Sequence, residues 1–382
     1  MGNSTELLAR VQAALGEEDY ASMRQLLREW QKLEPRNPWL HFYVARWYEG
    51  TEKYEEAEKR YRQLLKGSDI PKVITQSRQG LKRLEQRLLQ LKQQAIAAEK
   101  ATTDGEEYGL FIIEPIAMSA KKEAVQHFAE VMQTDVYSAS LQLPTKSWRL
   151  FRTGTLGELR FYANALHQGN IPGFCLSVEQ LKMIQVLQVR AIQQLEPELV
   201  VQCVDMAQQE VTLTFDWTDI HRTVEGLIPL FEESLEKDSR GKSYYKTKVL
   251  DYAQFWDLHI GDRYTILRLN DQHYQFKQGI PFFNAIQNDH KIEQQSIRQN
   301  WNNLKTALTQ KLTNTQTWTD FKAFAPHIAD FPELLRKIEP HTYLFRQEAH
   351  KSTHWDPAWQ LYSAIVFAKS TQESIDIIAA KN

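Results

Sequence analysis

The chain has 382 residues, 42% of them apolar and 25% charged, with a formal net charge of -2. This length predicts two or three domains with packed cores, and the near-zero charge gives no overall pull toward nucleic acid or anionic lipid. Cys175 and Cys203 are the sole cysteines, which excludes a disulfide scaffold and a four-cysteine zinc or iron–sulfur centre and suits a reducing compartment. No apolar run reaches the length of a membrane span. Met1 to Glu6 has neither the basic start nor the apolar stretch of a secretory signal, so the expected address is cytoplasmic. Gly2 with Ser4 and Thr5 comes near a myristoylation pattern, but Glu6 fills the position where Ser or Thr is usual.

Between Gly16 and Leu65 one pattern appears twice. Gly16, Tyr20 and Leu27 return as Gly50, Tyr54 and Tyr61, each 34 residues on. A helix is expected from Trp39 to Glu49 and another from Tyr54 to Leu65, with Gly50 and Glu52 in the turn between them. Ala45 and Ala57 are the small residues of the close helix contact. In the first copy Val11, Tyr20 and Met23 match, and Pro35 ends the second helix because proline cannot continue the hydrogen-bond ladder. The period and these residue types resemble the tetratricopeptide repeat family over about a quarter of the chain. The departures are Leu7 and His41 at the family's tryptophan position, Val11 and Ala45 at its mid-helix glycine, and Asp69 where proline is expected.

Two repeats rarely bury enough surface alone, and a long helix from Pro71 supplies a cap through Leu81, Leu84, Leu88, Leu91 and Ala95. Its other face carries Lys72, Arg78, Lys82, Arg83, Arg87 and Lys92, read either as a dock for an acidic partner or as a solvated face. The resemblance implies a concave groove lined by the first helix of each pair, and hence by Leu8, Gln12, Trp39, Phe42, Arg46 and Glu49. Trp39 and Phe42 are its aromatic anchors, unless they are buried instead. Ala101 to Glu107 reads as a linker.

The period then changes. Tyr108 to Ile116 is expected as a strand, Lys121 to Gln133 as a helix, and Val136 to Leu143 and Trp148 to Arg152 as strands. Thr155 to Gln168 follows as a helix capped by Thr155, and Ile171 to Val178 as a strand. The order βαββαβ is that of a ferredoxin-like sandwich. The turn Arg152, Thr153, Gly154, Thr155 opens a helix, which is a place for an anion, with Arg149 and Arg160 adding charge; the alternative is an ordinary strand-to-helix turn.

Beyond Met183 strands are expected at Leu199 to Val204, Val211 to Trp217, Tyr244 to Leu250, Phe255 to Ile260, Tyr264 to Leu269 and Tyr274 to Phe276, with a helix at Val224 to Glu236. Gly261-Asp262 and Asn270-Asp271 are hairpin turns. Gly241-Lys242-Ser243 is no P-loop, since Glu236 stands where its first glycine belongs. Lys237 to Lys248 mixes Arg240, Lys242 and Lys246 with Tyr244 and Tyr245, a texture of single-strand binding or of a protected sheet edge. Asp216, Asp219, His221 and Cys175 are the residues an enzymatic reading would need, but no nucleophile stands in a recognisable elbow.

The C-terminal stretch is helical, with Ile297, Trp301, Leu304, Leu308 and Leu312 as one stripe and shorter helices at Trp318 to Phe324, Pro332 to Ile338 and Pro357 to Phe367. Glu348, His350, His354 and Asp356 approach metal spacing, but Lys351 stands where a zinc protease has its glutamate. The fold class is therefore α+β with several units. These are tetratricopeptide-like hairpins at 4–100, a ferredoxin-like unit at 108–183, a second strand-rich α+β unit at 184–283 and helices at 284–382. The expected function is a non-enzymatic adaptor or assembly factor that recruits a partner protein in the helical groove, with no cofactor and no metal. The alternative is a sensor of a small anionic ligand or nucleotide at the turn around Gly154.

Overall fold

The computed structural model describes residues 2–237, 239, 242–282, 296–342, 344 and 353–381. Two compact units form, Met1–Ala97 and Ala98–Asn382. The stretches at Arg240, Gly241 and Glu348 to Lys351, weighed above for charge and metal, lie outside the described residues. No helix among the described residues is long and apolar enough to cross a membrane.

The first unit is helical: α1 (Gly2–Gly16), α2 (Tyr20–Leu33), α3 (Pro38–Gly50), α4 (Tyr54–Gly67) and α5 (Pro71–Lys100), whose last turn passes into the second unit. The sequence repeat is also a repeat of backbone geometry. In the first turn the Asp19 N–H donates to Ala14 O at 2.9 Å and the Glu18 N–H to Leu15 O at 3.3 Å. In the second, 34 positions on, the Lys53 N–H donates to Tyr48 O at 2.9 Å and the Glu52 N–H to Glu49 O at 3.3 Å. Glu18 and Glu52 both hold left-handed backbone, φ 55° and 60°, where a side chain is strained. Gly50 is needed for space, because a Cβ there would lie 2.1 Å from the Tyr20 ring, whereas one at Gly16 would meet nothing. Val11, Met23, Trp30, Ala45, Ala57, Tyr61, Val73 and Leu84 fill the core between these helices.

The second unit starts with β1 (Tyr108–Ile113), α6 (Lys121–Met132), α7 (Val136–Gln142), β2 (Arg149–Thr155), α8 (Leu156–His167) and β3 (Gly173–Ser177). The α+β class stands, but the order is βααβαβ. The strand expected at Val136 to Leu143 is α7, begun where Asp135 accepts the Ser138 N–H at 2.9 Å. The ferredoxin-like sandwich is thereby replaced by a three-stranded antiparallel sheet in the order β2-β1-β3. Its central strand is buried on both faces. Phe111 and Ile113 pack with Phe128, Leu159 and Leu166 of α6 and α8, and Leu110 and Ile112 turn to the opposite side.

A five-residue helix α9 (Val178–Lys182) leads into β4 (Gln185–Gln194), β5 (Leu199–Val204), β6 (Glu210–Phe215), β7 (Ile220–Lys237), β8 (Ser243–Ile260) and β9 (Thr265–Asn270). Then come α10 (Ile297–Lys311), β10 (Gln316–Trp318), α11 (Phe321–Ile328), α12 (Pro332–Leu335) and α13 (Trp355–Lys381). The strands form a mixed seven-stranded sheet in the order β10-β7-β8-β9-β4-β5-β6. The helix expected at Val224 to Glu236 is strand β7. Val224 and Ile228 share a face in either conformation, since a spacing of four is one helical turn and also two strand periods. Pairing along β8 from Ile220↔Ile260 to Lys237↔Ser243 decides for the strand. The two strands expected between Tyr244 and Ile260 are one, and Tyr274 to Phe276 is not a strand. Instead the Tyr274 hydroxyl accepts the Ile192 N–H at 3.0 Å.

The boundaries expected at 183/184 and 283/284 fall inside the second unit. One apolar cluster joins Leu110 and Leu176 of the small sheet, Val224, Phe255 and Ile266 of the large one, Phe324 of α11, and Trp359 and Ile365 of α13. On the other face of the large sheet Val189, Val201, Trp256 and Leu267 pack against Trp301, Leu304 and Leu308 of α10. The face toward α13 is partly polar. Arg268 donates from Nε and Nη2 to Asp257 (3.0 and 2.7 Å) with both side chains fully enclosed, and His259 Nε2 lies 3.0 Å from Ser363 Oγ.

Candidate functional site

The groove residues are set by α3. Asn37 accepts the Trp39 N–H at 2.9 Å and Pro38 begins the helix, so Trp39, Phe42, Arg46 and Glu49 recur every three to four residues along one side. Trp39 is half-buried, its ring stacked on Tyr43 at 6.3 Å with Lys72 Nζ 6.0 Å from its face. Gln12 of α1 is exposed and donates from Nε2 to the Tyr43 hydroxyl at 2.7 Å, while Leu8 is half-buried against the core. Phe42 departs from the expected role of an exposed anchor. It is 6% exposed, with its ring 5.2 Å from Tyr43 and 6.0 Å from Tyr61, so it supports the surface from beneath.

At the far end of α3, Glu49 gathers its neighbours. Tyr61 donates its hydroxyl at 2.7 Å, Arg83 of α5 donates Nε and Nη2 at 2.9 and 3.2 Å, and Arg46 Nη1 stands at 3.3 Å. Burial, the largest single influence on the Glu49 carboxyl, pushes its pKa up. The bonds from Arg83 and Tyr61 and the charges of Arg46 and Arg83 together outweigh it, and the carboxyl is held below the usual range. The Tyr61 hydroxyl is raised by burial first and then by the Glu49 charge. Beside this cluster is a hollow of about 420 Å³, lined among others by Leu15, Tyr20, Arg46, Glu49, Tyr54, Arg83 and Arg87.

Two of the cations assigned to the outer face of the long helix therefore bond back to α3 and α4. Arg83 bonds Glu49, and Arg87 Nε reaches the Tyr54 hydroxyl at 3.4 Å. The signal that would have found them is the repeat itself, since Leu15, Glu49 and Arg83 occupy equivalent positions 34 residues apart.

The groups expected around the Gly154 turn are engaged within the fold. Thr153, Gly154 and Thr155 belong to β2, paired with Leu110, Gly109 and Tyr108. Two N–H groups that open α8 are already used: Leu156 donates to Glu107 O and Gly157 to Gly105 O, both at 2.9 Å. The arginines are engaged separately. Arg149 donates to Leu141 O at 2.8 Å, Arg152 pairs with Glu158 at 3.1 Å with the Tyr162 ring beneath it, and Arg160 forms a two-pronged pair with Asp104.

Of the residues of an enzymatic reading, Cys175 stands apart from the rest. Asp216 and Asp219 cap one short turn reciprocally. His221 lies in β7 of the large sheet, whereas Cys175 faces Phe111 in the small one, its thiol pushed up to about 12 by burial. No protein family, no curated protein and no solved structure matches this chain.

Proposed function

We propose that the chain is a non-enzymatic adaptor or assembly factor, and that its N-terminal helices act as a tetratricopeptide-like module that recruits a partner protein along the inner side of α3. The observation that carries this reading is the Glu49 cluster beside an open hollow, in line with the half-buried Trp39. An aromatic platform at one end and bidentate arginine donors at the other are the two groups most often dominant in protein interfaces. The bond-for-bond repetition of the two turns supports the family reading, because stacked hairpins of fixed period present such a face. The contact surface comprises Gln12, Trp39, Arg46 and Glu49 with Arg83 and Arg87, resting on Leu8 and Phe42.

The test is affinity capture from the native cell with the full chain and with a Trp39→Ala/Arg46→Ala variant, leaving buried Phe42 intact. A protein held by the wild type and lost by the variant, with the variant still folded by circular dichroism, is the expected result. A set of captured proteins identical for both removes this face from the interaction.

A further inference from the structure

β7 and β8 are 18 residues long each and outrun the sheet they belong to. Beside β7, β10 pairs with Arg222 to Val224, and beside β8, β9 pairs with Phe255 to Ile260. Beyond those residues no other described strand joins them, and the pairing from Leu227↔Gln254 to Lys237↔Ser243 is a two-stranded ribbon. Such a ribbon is marginal in water unless something packs against it.

Its two faces differ. On one, Ile228 and its cross-strand partner Ala253 are buried with Phe321 of α11 and Trp359 of α13. On the other, Glu225 pairs with Lys305 of α10 at 2.6 Å, and past it apolar side chains open to solvent. Leu227 and Phe231 share this face, because alternate residues of a strand point the same way. Val249 stands opposite Phe231, and Tyr252 opposite Pro229, so both join them; Leu250 is the extra residue of a bulge beside Val249. These five side chains are between 37% and 59% exposed. Together they show solvent on the order of 500 Å², near the top of what a monomer leaves in one patch.

The edges of the ribbon are guarded where this face is not. Pro229 takes an N–H from β7 without interrupting its pairing with β8, so the missing donor belongs to the outer edge. Lys246 and Lys248 of β8 are exposed, the residue type that discourages strand addition. Charge also differs between the strands. From Phe231 to Lys237, β7 has Glu232, Glu233 and Glu236 against Lys237; from Ser243 to Val249, β8 has Lys246 and Lys248 alone. One strand is acidic and the other basic by the same amount, so these stretches have no net charge to draw nucleic acid or anionic lipid.

We infer that a second copy of this chain docks here, the two ribbons packing apolar face to apolar face about a two-fold axis along their length. That symmetry lays the acidic strand of each copy over the basic strand of the other, which makes the face complementary to itself. Two such faces with their rims bury on the order of 1,000 Å², the size at which specific interfaces begin. The residues involved are separate from those of the α3 surface.

The test is sedimentation equilibrium of the full chain, run across concentrations from about 1 to about 100 μM. A monomer–dimer equilibrium with a Kd of about 10 μM is expected, as suits an interface of this size. Phe231→Lys/Tyr252→Lys sets like charges face to face and should weaken the dimer at least about 100-fold. Phe231→Glu/Tyr252→Glu should do the same. An equimolar mixture of the two variants should dimerise again, lysine face on glutamate face, which misfolded variants could not do. Leu88→Lys/Leu89→Lys, which changes exposed leucines of α5, should dimerise like the wild type. The inference is overturned by a wild type that stays monomeric, by a lysine variant that still dimerises, or by a mixture that stays monomeric. Growth beyond the dimer would also overturn it, since open edges rather than the face would then be pairing.

Discussion

The two units handle charge in opposite ways. In the C-terminal unit the Arg268–Asp257 pair is fully enclosed, and the guanidinium's remaining reach is taken by the carbonyls of Pro340 and His341. In the N-terminal unit Glu49 and its arginines keep some contact with solvent and border a hollow. An enclosed pair whose guanidinium bonds on three nitrogens ties elements together and is shut away from a visitor. A cluster of the same chemistry at the edge of a hollow can exchange one of its bonds for a bond to a partner. The difference teaches that exposure and spare donors, rather than the presence of charge, mark the face worth testing.

The largest expected effect comes from breaking the enclosed pair. Arg268→Met leaves Asp257 buried without its partner and should lower unfolding free energy by about 3–5 kcal/mol in urea titrations. Adding Asp257→Leu should restore much of that loss, because an apolar pair of similar volume removes the stranded charge. If the single variant is as stable as the wild type, the pair does not tie this unit together.

The repeat sharpens the comparison from the other side. Gly50→Ala forces a methyl group into the Tyr20 ring and should lower stability by about 1–3 kcal/mol, whereas Gly16→Ala, with open space around it at a helix end, should leave it unchanged or raise it by up to about 1 kcal/mol. Equal thermal shifts for the two would show that Tyr20 does not wedge the second turn.

Glu49 gives a pH signature. Its folded pKa is depressed, so its contribution is complete above its unfolded pKa, from roughly pH 5 upward, and is lost as pH falls through the folded value. Glu49→Gln should therefore flatten the acid side of the stability profile below the ordinary carboxylate range. Wild type and variant profiles of the same shape would show that the cluster does not hold the carboxylate.

The smallest effect is a gain. Glu18→Gly and Glu52→Gly relieve left-handed backbone and should each raise stability by up to about 1 kcal/mol, read as a rise in melting temperature. A fall in either would mean that the side chain contributes more than its strain takes away.

The N-terminal unit was legible because two periods agree there. The 34-residue recurrence of Gly16, Tyr20 and Leu27 coincides with helical spacing, and the unit's first four helices pack mainly on the next helix in the chain. In the C-terminal unit the decisive partners are distant. Val224 to Glu236 becomes a strand because β8 pairs along it. The helix at Val136 has a local cause instead, the Asp135 cap, which alternation in the sequence concealed. Trp39, Arg46 and Glu49 were legible as one helix face. The burial of Phe42 against Tyr61 and the bond of Arg83 to Glu49 were not, since both depend on how α4 and α5 stack on α3.

The most direct measurement is hydrogen exchange on the full chain with and without the protein that the wild type captures. Slowed exchange in α3 and in the stretch from Leu81 to Lys92 is predicted, because those segments carry Trp39, Arg46, Glu49, Arg83 and Arg87. Slowing confined to residues beyond Ala98 would contradict it, and would move the interaction to the C-terminal unit.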